Sequence, residues 1–563
     1  MLLIILSWIY ILFTCVNLGY YSDKIFQTKA TNFIIIIILG LFTTTILASF
    51  WAIFGRINIE FHGALFLLNG LIFFKFQKEI KAKYTVFNEE LRLLAKPLQV
   101  FLAVITVLII AQCAAAPFVI DNESYYIQTI KWLNEYGFVK GLANLHISLG
   151  QTSGWHILQS AFSFSFLYKN FNDLSGFCLL IGNYFAVLIL NQYFLNTKKI
   201  YLIVGLFPLA NVLFFQLISA PSPDIPVYTF AFILFFYFIE KFESPSISNF
   251  TIITILSIFI LFIKATALGL VLIPIIVLTI HFKELYQKLI PLTLIGIAVL
   301  SLFIIKNGIL SGMPLFPLTY FRLAADFSLP ESIAQFYFNS GKLCLFFLSS
   351  EEYNSMTYGQ IALKWLFASK LSGFFNTLTV SILVVCPFFI RFFYNKKSFW
   401  LLYIVAIATV VSILLSSPVY RYFIYLTLFF GLFILTCLFN KKHFIYTIYG
   451  ASILISAILV LFPFRFDSLT QNKLISNNSS FAIQNSIFPH QNSKLGNQFK
   501  VVQNGNLKYH SLIDNPFFWA TGDGKIPCVN QNQIDYFKNH LLILPQMRTT
   551  DLKDGFYTKK GNR

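Results

Sequence analysis

The stretch FIIIIILGLFTTTILASFWAIF, residues 33–54, decides the class of fold. It contains no charged side chain, and about 20 apolar residues in a helix are what the hydrocarbon core of a bilayer requires. We therefore predict a transmembrane helix at 33–54. The first segment of the chain, MLLIILSWIYILF, has the same character. It lacks a basic n-region and a small-residue cleavage site, so we expect a retained span.

The rest of the chain is equally apolar. Of the 563 residues, 57% are hydrophobic and 11% are charged, with a mean hydropathy of +0.72. A soluble domain carries about 25% charged residues, so this composition excludes a soluble enzyme and a disordered chain. The net charge is +18, but no basic stripe lies on a soluble domain, which argues against a nucleic-acid partner. The cysteines show no metal-site spacing.

Apolar segments long enough for a membrane crossing recur along the chain. We predict an all-α polytopic membrane protein with about 13–14 transmembrane helices. The stretch 248–281 fits either one kinked helix or two short helices around Lys264. The predicted spans are 2–18, 33–54, 61–76, 98–118, 174–195, 200–218, 225–241, 248–264, 266–281, 287–305, 374–392, 399–416, 418–438 and 443–463.

Lysine and arginine concentrate in alternate loops, which the positive-inside rule places in the cytoplasm. The loop 75–97 is the richest of them. Alternation holds along the whole chain only if the stretch 155–168 lies along the membrane. This alternation then places three segments on the outer side of the membrane, namely the loops 119–173 and 306–373 and the tail.

These assignments divide the chain into three parts. Residues 1–97 hold additional spans and a cytoplasmic loop, and residues 98–463 form the main transmembrane module. Residues 464–563 are polar and rich in Asn and Gln, with apolar clusters that predict a small α+β extracytoplasmic region. An abundance of Ile, Phe, Lys and Asn favours a bacterial inner membrane.

Acidic residues are scarce, and three of them lie at predicted outer ends of spans. Asp121 and Glu123 follow the span 98–118, and Asp224 directly precedes the span 225–241. Such carboxylates can bind a divalent cation such as Mg²⁺ or Mn²⁺, or one of them can act as a general base. The alternatives are an ordinary helix end for the pair and an N-cap for Asp224.

Two cations lie at the same predicted face. Lys264 interrupts the apolar run FILFIKATALGL, and Arg421 lies in the turn SSPVYR. An ionisable residue inside a span is a functional hypothesis, although a lysine can also extend to the interface. The guanidinium of Arg421 suits phosphate binding, and its alternative role is an interfacial anchor.

The loop 119–173 also concentrates aromatic, amide and imidazole side chains, which are the types that bind sugars by ring stacking and hydrogen bonding. An interfacial aromatic belt explains its tryptophans and tyrosines but not its Asn, Gln and His residues. A zinc site from His146 and His156 is disfavoured, because cysteine ligands are missing. The candidate sugar-binding residues are Tyr125, Trp132, Asn144 and His146.

Acids for base or metal chemistry, together with cations for phosphate, are what a transferase with a phosphate-linked lipid donor requires. The pattern resembles the GT-C superfamily of membrane glycosyltransferases over residues 98–463. The resemblance rests on Asp121–Tyr126, on residues 125–146, on Ser219–Tyr228 and on Lys306–Pro317. Where some members have adjacent acids, this chain has Asp-x-Glu.

The resemblance implies sugar transfer from a polyprenyl-phosphate donor to a lipid, glycan or protein acceptor at the outer face. Asp121 would then be the base, Glu123 or Asp224 would assist it or bind a metal, and Lys264 and Arg421 would hold the phosphate. A cell-envelope polysaccharide pathway fits this chemistry.

Two other functions remain open at this stage. An O-antigen-type polymerase or ligase would depend on Arg and His in its large outer loop and would not need Asp121. A transporter or flippase would place charges in the middle of the membrane, facing a cavity.

Overall fold

The fold was determined as a computed structural model. It describes residues 1–169, 173–343, 345–346, 348–469, 476–496 and 498–560. The chain is a bundle of apolar helices, with shorter helices and a small strand-containing region packed at one end.

The bundle begins with five helices: α1 (Leu2–Phe26), α2 (Phe33–Phe54), α3 (Ile59–Lys75), α4 (Gln77–Arg92) and α5 (Lys96–Ala114). Helices α1 and α2 pack closely, because Gly19 and Gly40 each face backbone of the other helix with no room for a Cβ. Small residues promote such close packing between membrane helices. Helix α4 is bent by 87° from α3 and carries many of the charges of the 75–97 loop.

The segment after α5 contains only short helices. A π-turn at Asn122–Tyr126 is followed by α6 (Ile127–Glu135), α7 (Leu142–Leu145) and α8 (Gly154–Ala161). Helix α8 has 8 residues, which span about 12 Å against a hydrocarbon core of about 30 Å. The stretch 155–168 therefore contains too few helical residues to cross the membrane. The predicted orientation requires that it does not cross.

The central part of the bundle follows. It comprises α9 (Leu174–Asn196), α10 (Lys199–Gly205), α11 (Asn211–Phe214), α12 (Asp224–Lys241), α13 (Ile247–Ile263), α14 (Leu272–Ile280), α15 (Phe282–Leu285) and α16 (Leu289–Ser311). Lys264 adopts an extended backbone conformation between α13 and the 3₁₀ turn Ala265–Val271. Of the two alternatives for 248–281, two short helices are therefore observed.

The second long loop and the last four bundle helices complete the transmembrane part. They are α17 (Glu331–Leu343), α18 (Ser350–Ser355), α19 (Tyr358–Leu366), α20 (Lys370–Phe393), α21 (Lys397–Ser416), α22 (Ile424–Leu438) and α23 (Lys442–Leu461).

Among the described residues, nine helices are long and apolar enough to cross a membrane, or up to ten if a bent pair is one span. This confirms a multi-pass helical membrane protein. The predicted number was higher, because other predicted spans fold as shorter or more charged helices. These are α3, α12, α13, the pair Ala265–Ile280 and α22.

The polar tail folds as predicted, into a small α+β region. It contains β1 (Phe499–Asn504), β2 (Leu507–Leu512), α24 (Gln531–Leu541), β3 (Ile543–Met547) and β4 (Phe556–Lys560). Strands β1 and β2 form one antiparallel pair, and β3 and β4 form another. Buried Tyr509, Val529 and Ile534 contribute to its core.

This C-terminal region packs against the end of the bundle at which α1 begins. The amino group of Met1 donates to the carbonyl of Asn485 (2.7 Å), and the amide of Phe556 donates to Lys140 (2.9 Å). The lysine-rich loops lie at the other end of α1. There Lys288 donates to the side chain of Gln27 (2.8 Å). The lysine-rich loops thus lie at one end of the bundle, and the long loops and the tail lie at the other end.

Candidate functional site

Four charged side chains from four separate segments meet at the end of the bundle that carries the C-terminal region. Nη2 of Arg421 lies 2.6 Å from Oδ2 of Asp121, and Nζ of Lys264 pairs with Oδ1 of Asp224. We call these four residues the ion-pair cluster. The sequence predicts all four as site residues, and the structure brings them together across three hundred positions of chain.

The aromatic ring of Tyr422 joins the two ion pairs. Nζ of Lys264 lies 4.3 Å from the ring centroid, and Cζ of Arg421 lies 5.4 Å from it. Cations at such distances are attracted to the ring face. The two pairs therefore form one site and not two independent surface bridges.

Each member of the cluster lies where a helix begins or ends. Asp224 is the first residue of α12, after a turn set by Pro221 and Pro223, and its charge is favourable at a helix N-terminus. Lys264 lies at the break after α13, and Arg421 lies in the 3₁₀ turn Tyr420–Tyr422. Irregular backbone at the ends of spans is what allows these groups to converge.

The cluster is partly open to a ligand. The side chains of Arg421, Asp121 and Lys264 are 34%, 19% and 16% exposed, while that of Asp224 is 5% exposed. Arg421 and Asp121 are thus the accessible pair, and Asp224 lies beneath Lys264. In this buried position Asp224 serves mainly to hold the lysine.

Tyrosine hydroxyls surround the accessible pair. Tyr126 donates to Oδ2 of Asp121 at 3.5 Å, and Tyr228 donates to the carbonyl of Arg421 at 2.6 Å. Burial raises the pKa of Tyr125 and Tyr126 well above the ordinary value, and the charge of Asp121 raises both further. Both hydroxyls therefore stay protonated, as the hydrogen bond from Tyr126 to Asp121 requires.

Arg421 keeps its charge in this environment. Burial alone would lower its pKa, but the carboxylates of Asp121 and Asp224 raise the pKa well above the usual value. A permanently charged guanidinium with a planar set of donors can exchange a carboxylate for a phosphate.

His156 packs beneath the cluster without contributing charge. Its ring centroid lies 4.6 Å from that of Tyr126. Burial, together with the charges of Lys306 and Lys264, lowers its pKa to about 3. His156 is therefore neutral at physiological pH and is no candidate for a general acid.

Lys306 is a further cation near this site that the sequence analysis did not assign. It is 4% exposed, and its Nζ donates to the carbonyl of Thr152, which directly follows the 3₁₀ turn Ile147–Gln151. Its isolation near the end of an apolar span was the available signal, the same signal that singled out Lys264.

Glu123 lies outside the ion-pair cluster. Its carboxylate accepts hydrogen bonds from the hydroxyl of Ser493 and the amide of Lys494, and its carbonyl accepts one from the amide of Thr521 (2.8 Å). Burial raises its pKa, while the bonds from Ser493 and Lys494 oppose that rise. Glu123 therefore anchors the C-terminal region, and this geometry does not support a role for it beside Asp121.

Contacts away from the ion-pair cluster are made by Trp132, Asn144 and His146. The indole of Trp132 packs edge-on against Phe556, 5.7 Å between centroids. Asn144 donates to the carbonyl of Phe327 and accepts from Thr558, and His146 contacts the carbonyl of Trp519. These buried side chains hold the C-terminal region and the second long loop in place. Of the four predicted sugar-binding residues, only Tyr125 lies beside the cluster.

No set of three or more His, Cys, Asp and Glu side chains is placed to hold a metal ion within the part of the chain that the structure describes. Each carboxylate of the cluster is already paired with a cation of the protein. The residues present therefore do not fit a divalent-cation site.

Apolar surface flanks the cluster. Leu268, four residues after Lys264, is 62% exposed, and Leu415, six residues before Arg421, is 72% exposed. Exposed apolar side chains at the ends of spans are suited to contact with lipid. A shallow groove of about 490 Å³ runs along α20 past Phe374 and Leu378. On another face of α20, the ring of Phe375 stacks on Tyr420 at 4.8 Å.

A family described as a domain of unknown function (DUF8201) matches residues 1–428. The chain belongs to the DUF8201 family. The match contains all four residues of the ion-pair cluster and ends within α22, before the C-terminal region. No curated protein and no solved structure shows significant similarity to this DUF8201 protein.

Proposed function

We propose that this DUF8201 protein is a GT-C-type membrane glycosyltransferase that transfers a sugar from a polyprenyl-phosphate donor to an acceptor hydroxyl. The observation that carries the proposal is the convergence of Asp121, Asp224, Lys264 and Arg421 at one end of the membrane helices. A carboxylate and two cations beside lipid-facing surface match a reaction whose leaving group is a lipid phosphate.

Arg421 and Lys264 bind the donor phosphate. The guanidinium presents paired donors suited to phosphate oxygens, and the ammonium supplies a second charge. Their shared neighbour Tyr422 keeps both groups on one side of the site. The polyprenyl chain then extends over the exposed apolar surface at Leu268 and Leu415.

Asp121 accepts the proton of the acceptor. The acceptor oxygen attacks the anomeric carbon, the bond from that carbon to the phosphate oxygen breaks, and the polyprenyl phosphate leaves with the bonding electrons. The acceptor proton passes to the Asp121 carboxylate. Such general-base assistance contributes about 10²–10⁴-fold.

Donor binding and base activation are coupled in this scheme. Without donor, the Asp121 carboxylate is engaged by Arg421. A phosphate that takes over Arg421 releases the carboxylate, which can then contact the acceptor hydroxyl while the donor sugar is in place.

Two observations favour glycosyl transfer over the other candidate functions. The loop 306–373 contains a single arginine, Arg322, and no histidine, although a polymerase or ligase of the O-antigen type would rely on such residues there. The charged residues of the cluster lie at helix ends and not in the middle of the bundle, whereas a transporter requires charges along a mid-membrane path.

The proposed location is the bacterial inner membrane, with the cluster and the C-terminal region outside. The lysine-rich loops lie at the other end of the bundle, where positive charge is retained in the cytoplasm. Cysteine labelling in intact cells tests this orientation. Labelling of the C-terminal region only after permeabilisation contradicts it.

The deciding experiment measures donor binding and sugar transfer with purified protein in lipid vesicles. A radiolabelled polyprenyl-phosphate hexose is the probe. We expect Arg421→Lys to weaken donor binding at least about tenfold, because the ammonium cannot replace the bidentate contact. Arg465→Lys is the matched control, since Arg465 is 81% exposed in an ion pair with Asp467. Equal donor affinity of the Arg421 and Arg465 variants would overturn the assignment.

A further inference from the structure

Lys306 is the only buried lysine among the residues that the structure describes. It lies in the last two turns of α16, at the end where the amide of Gly141 donates to the carbonyl of Ile309 (2.8 Å). Lys264 and Arg421 each pair with a carboxylate. No ion pair in the described part of the chain involves Lys306. Its charge therefore has no counter-charge within this part of the protein.

The hydrogen bonding of this lysine is also incomplete. An ammonium group has three N–H donors, and within the described residues Nζ of Lys306 donates to one acceptor, the carbonyl of Thr152. The ring of Phe303, whose centroid lies 5.0 Å from Nζ, adds a weak attraction. Burial of a charge without full pairing is unfavourable, so Lys306 requires a partner of opposite charge.

Two other buried donors near the ion-pair cluster lack an acceptor. Nε of Arg421 and Nε2 of His156 have no hydrogen-bond partner among the described residues. Nδ1 of His156 accepts from the amide of Ser153 at 3.5 Å, so the proton of this neutral ring lies on Nε2. All three incompletely paired groups are donors. The partner that they lack is therefore rich in acceptor oxygens, as a phosphate is.

Adjacent residues of the first long loop connect Lys306 to the ion-pair cluster. Thr152 accepts the hydrogen bond from Lys306, and the hydroxyl of Ser153 donates to the carbonyl of Ile263 at 2.6 Å. Ile263 directly precedes Lys264 in the chain. Consecutive Cα atoms are about 3.8 Å apart. The ammonium group of Lys306 and the backbone that carries Lys264 are thus held by neighbouring atoms.

The two lysines also have a common neighbour in His156. The ring of His156 packs 4.6 Å from that of Tyr126, whose hydroxyl donates to Asp121. The charges of Lys306 and Lys264 both contribute to the lowered pKa of His156, in agreement with the positions that the hydrogen bonds give them. Lys306 therefore belongs to the surroundings of the ion-pair cluster.

Inclusion of Lys306 changes the charge of the site. The ion-pair cluster has two cations and two carboxylates and is neutral as a whole. With Lys306 the protein has one positive charge in excess. A polyprenyl phosphate that carries a sugar is a phosphodiester with one negative charge. Binding of such a donor therefore neutralises the site, which the four residues of the cluster alone would not allow.

We propose that Lys306 is a third phosphate-binding residue and that its charge stabilises the polyprenyl phosphate as it leaves. The inference rests on the proposed function. When the bond from the anomeric carbon to the phosphate oxygen breaks, the phosphate keeps the bonding electrons, and its charge becomes about −1.5 to −2 at pH 7. The acceptor proton neutralises Asp121 in the same step, so the positive excess of the protein rises from one to two. The flexible stem of Lys306 carries Nζ from the carbonyl of Thr152 to a phosphate oxygen.

The experiment compares two short-chain lipids by calorimetric titration of the full-length protein in phosphatidylcholine vesicles. Phytanyl phosphate represents the leaving group, and phytanyl-phosphate hexose represents the donor. We expect Lys306→Gln to weaken binding of phytanyl phosphate at least about tenfold and binding of the hexose lipid about threefold, because the more highly charged phosphate loses more Coulomb attraction. The glutamine amide can still donate to Thr152, and Lys306→Arg, which keeps the charge, is expected to restore most of the affinity.

Lys364→Gln is the matched control, since Lys364 is an exposed lysine on α19 in the second long loop, and both affinities should be unchanged. Equal losses for the two lipids in Lys306→Gln would indicate a general defect in packing and would overturn the charge argument. Native affinity of Lys306→Gln for phytanyl phosphate would remove Lys306 from the site.

Inorganic phosphate and phytanol identify the source of the phosphate group. Neither is expected to bind at concentrations at which phytanyl phosphate saturates the protein, and equal affinity for inorganic phosphate would overturn a lipid-linked ligand. Sugar transfer from the hexose lipid is measured separately. Protein that binds phytanyl phosphate through Lys306 but transfers no sugar would overturn the glycosyltransferase function and leave the phosphate site. Native binding and transfer by Lys306→Gln would overturn the role of Lys306 alone.

Discussion

Replacement of Asp121 by asparagine separates its two contributions in the proposed mechanism. The amide retains the size of the side chain but neither accepts the acceptor's proton nor carries charge. Turnover is therefore expected to fall by about 10²–10⁴-fold, the range of general-base catalysis. The effect on donor binding is opposite in sign, because Asp121 and the donor phosphate compete for Arg421.

The structure sets the size of the binding effect. A hydrogen bond to a charged group contributes about 1.5–3 kcal/mol, which corresponds to about one to two decades of affinity. The Arg421 side chain is 34% exposed, so solvent screening reduces the interaction toward the lower limit. We expect Asp121→Asn to bind the polyprenyl-phosphate hexose about tenfold more tightly than the native protein does.

Calorimetric titration of the donor and transfer of its radiolabelled sugar, both in vesicles, measure the two quantities. Asp467→Asn is the control, since Asp467 belongs to an exposed ion pair that shares no residue with the cluster. Weaker donor binding by Asp121→Asn would refute the competition argument and indicate that Asp121 attracts the donor, as a carboxylate does through a bridging cation. Unchanged turnover would remove Asp121 from the chemistry.

Two further predictions concern the buried parts of the site. Lys264→Met leaves the carboxylate of Asp224 buried and unpaired, so the free energy of unfolding is expected to fall by about 3–5 kcal/mol; adding Asp224→Leu should restore stability in a thermal-unfolding assay but not donor binding. The pKa of His156 is lowered to about 3, below its value of about 6.5 in the unfolded chain. As pH falls, the unfolded state therefore binds the extra proton first. The free energy of unfolding is expected to fall as pH drops from about 6.5 toward 3, by up to about 1.4 kcal/mol per pH unit. His156→Gln should reduce this acid sensitivity, measured as Tm in detergent at pH 7 and pH 5, and an unchanged difference in Tm between the two pH values would contradict the assignment.

The ion-pair cluster was predictable because ionisable residues are rare in this chain. An unpaired charge in an apolar run is costly, so Lys264 implies a partner, and Asp224 is an acid in the turn before another span. The alternation of lysine-rich loops placed their helix ends at one face. Sequence alone did not indicate which acid pairs with which cation, since that depends on how segments distant in sequence pack.

The first long loop shows why the other predicted site residues do not lie beside the ion-pair cluster. Asn144 and Trp132 are the residue types of a sugar site, but the same types also satisfy buried contacts with a docked region. Asn144 bonds to Thr558, more than four hundred positions away in the chain. No local sequence pattern distinguishes a side chain that is available to bind a sugar from one that contacts another part of the same protein.

Asp121 and Glu123 illustrate the limit most sharply, because they are two residues apart and point to different partners. The π-turn Asn122–Tyr126 separates them, so that Asp121 meets Arg421 while Glu123 receives hydrogen bonds from Ser493 and Lys494. Glu123 therefore affects the proposed mechanism through the position of this turn, although it takes no part in the chemistry. Because the C-terminal region holds the turn through Glu123, docking of that region also fixes the position of Asp121 opposite Arg421. The C-terminal region thereby positions the base of the proposed mechanism.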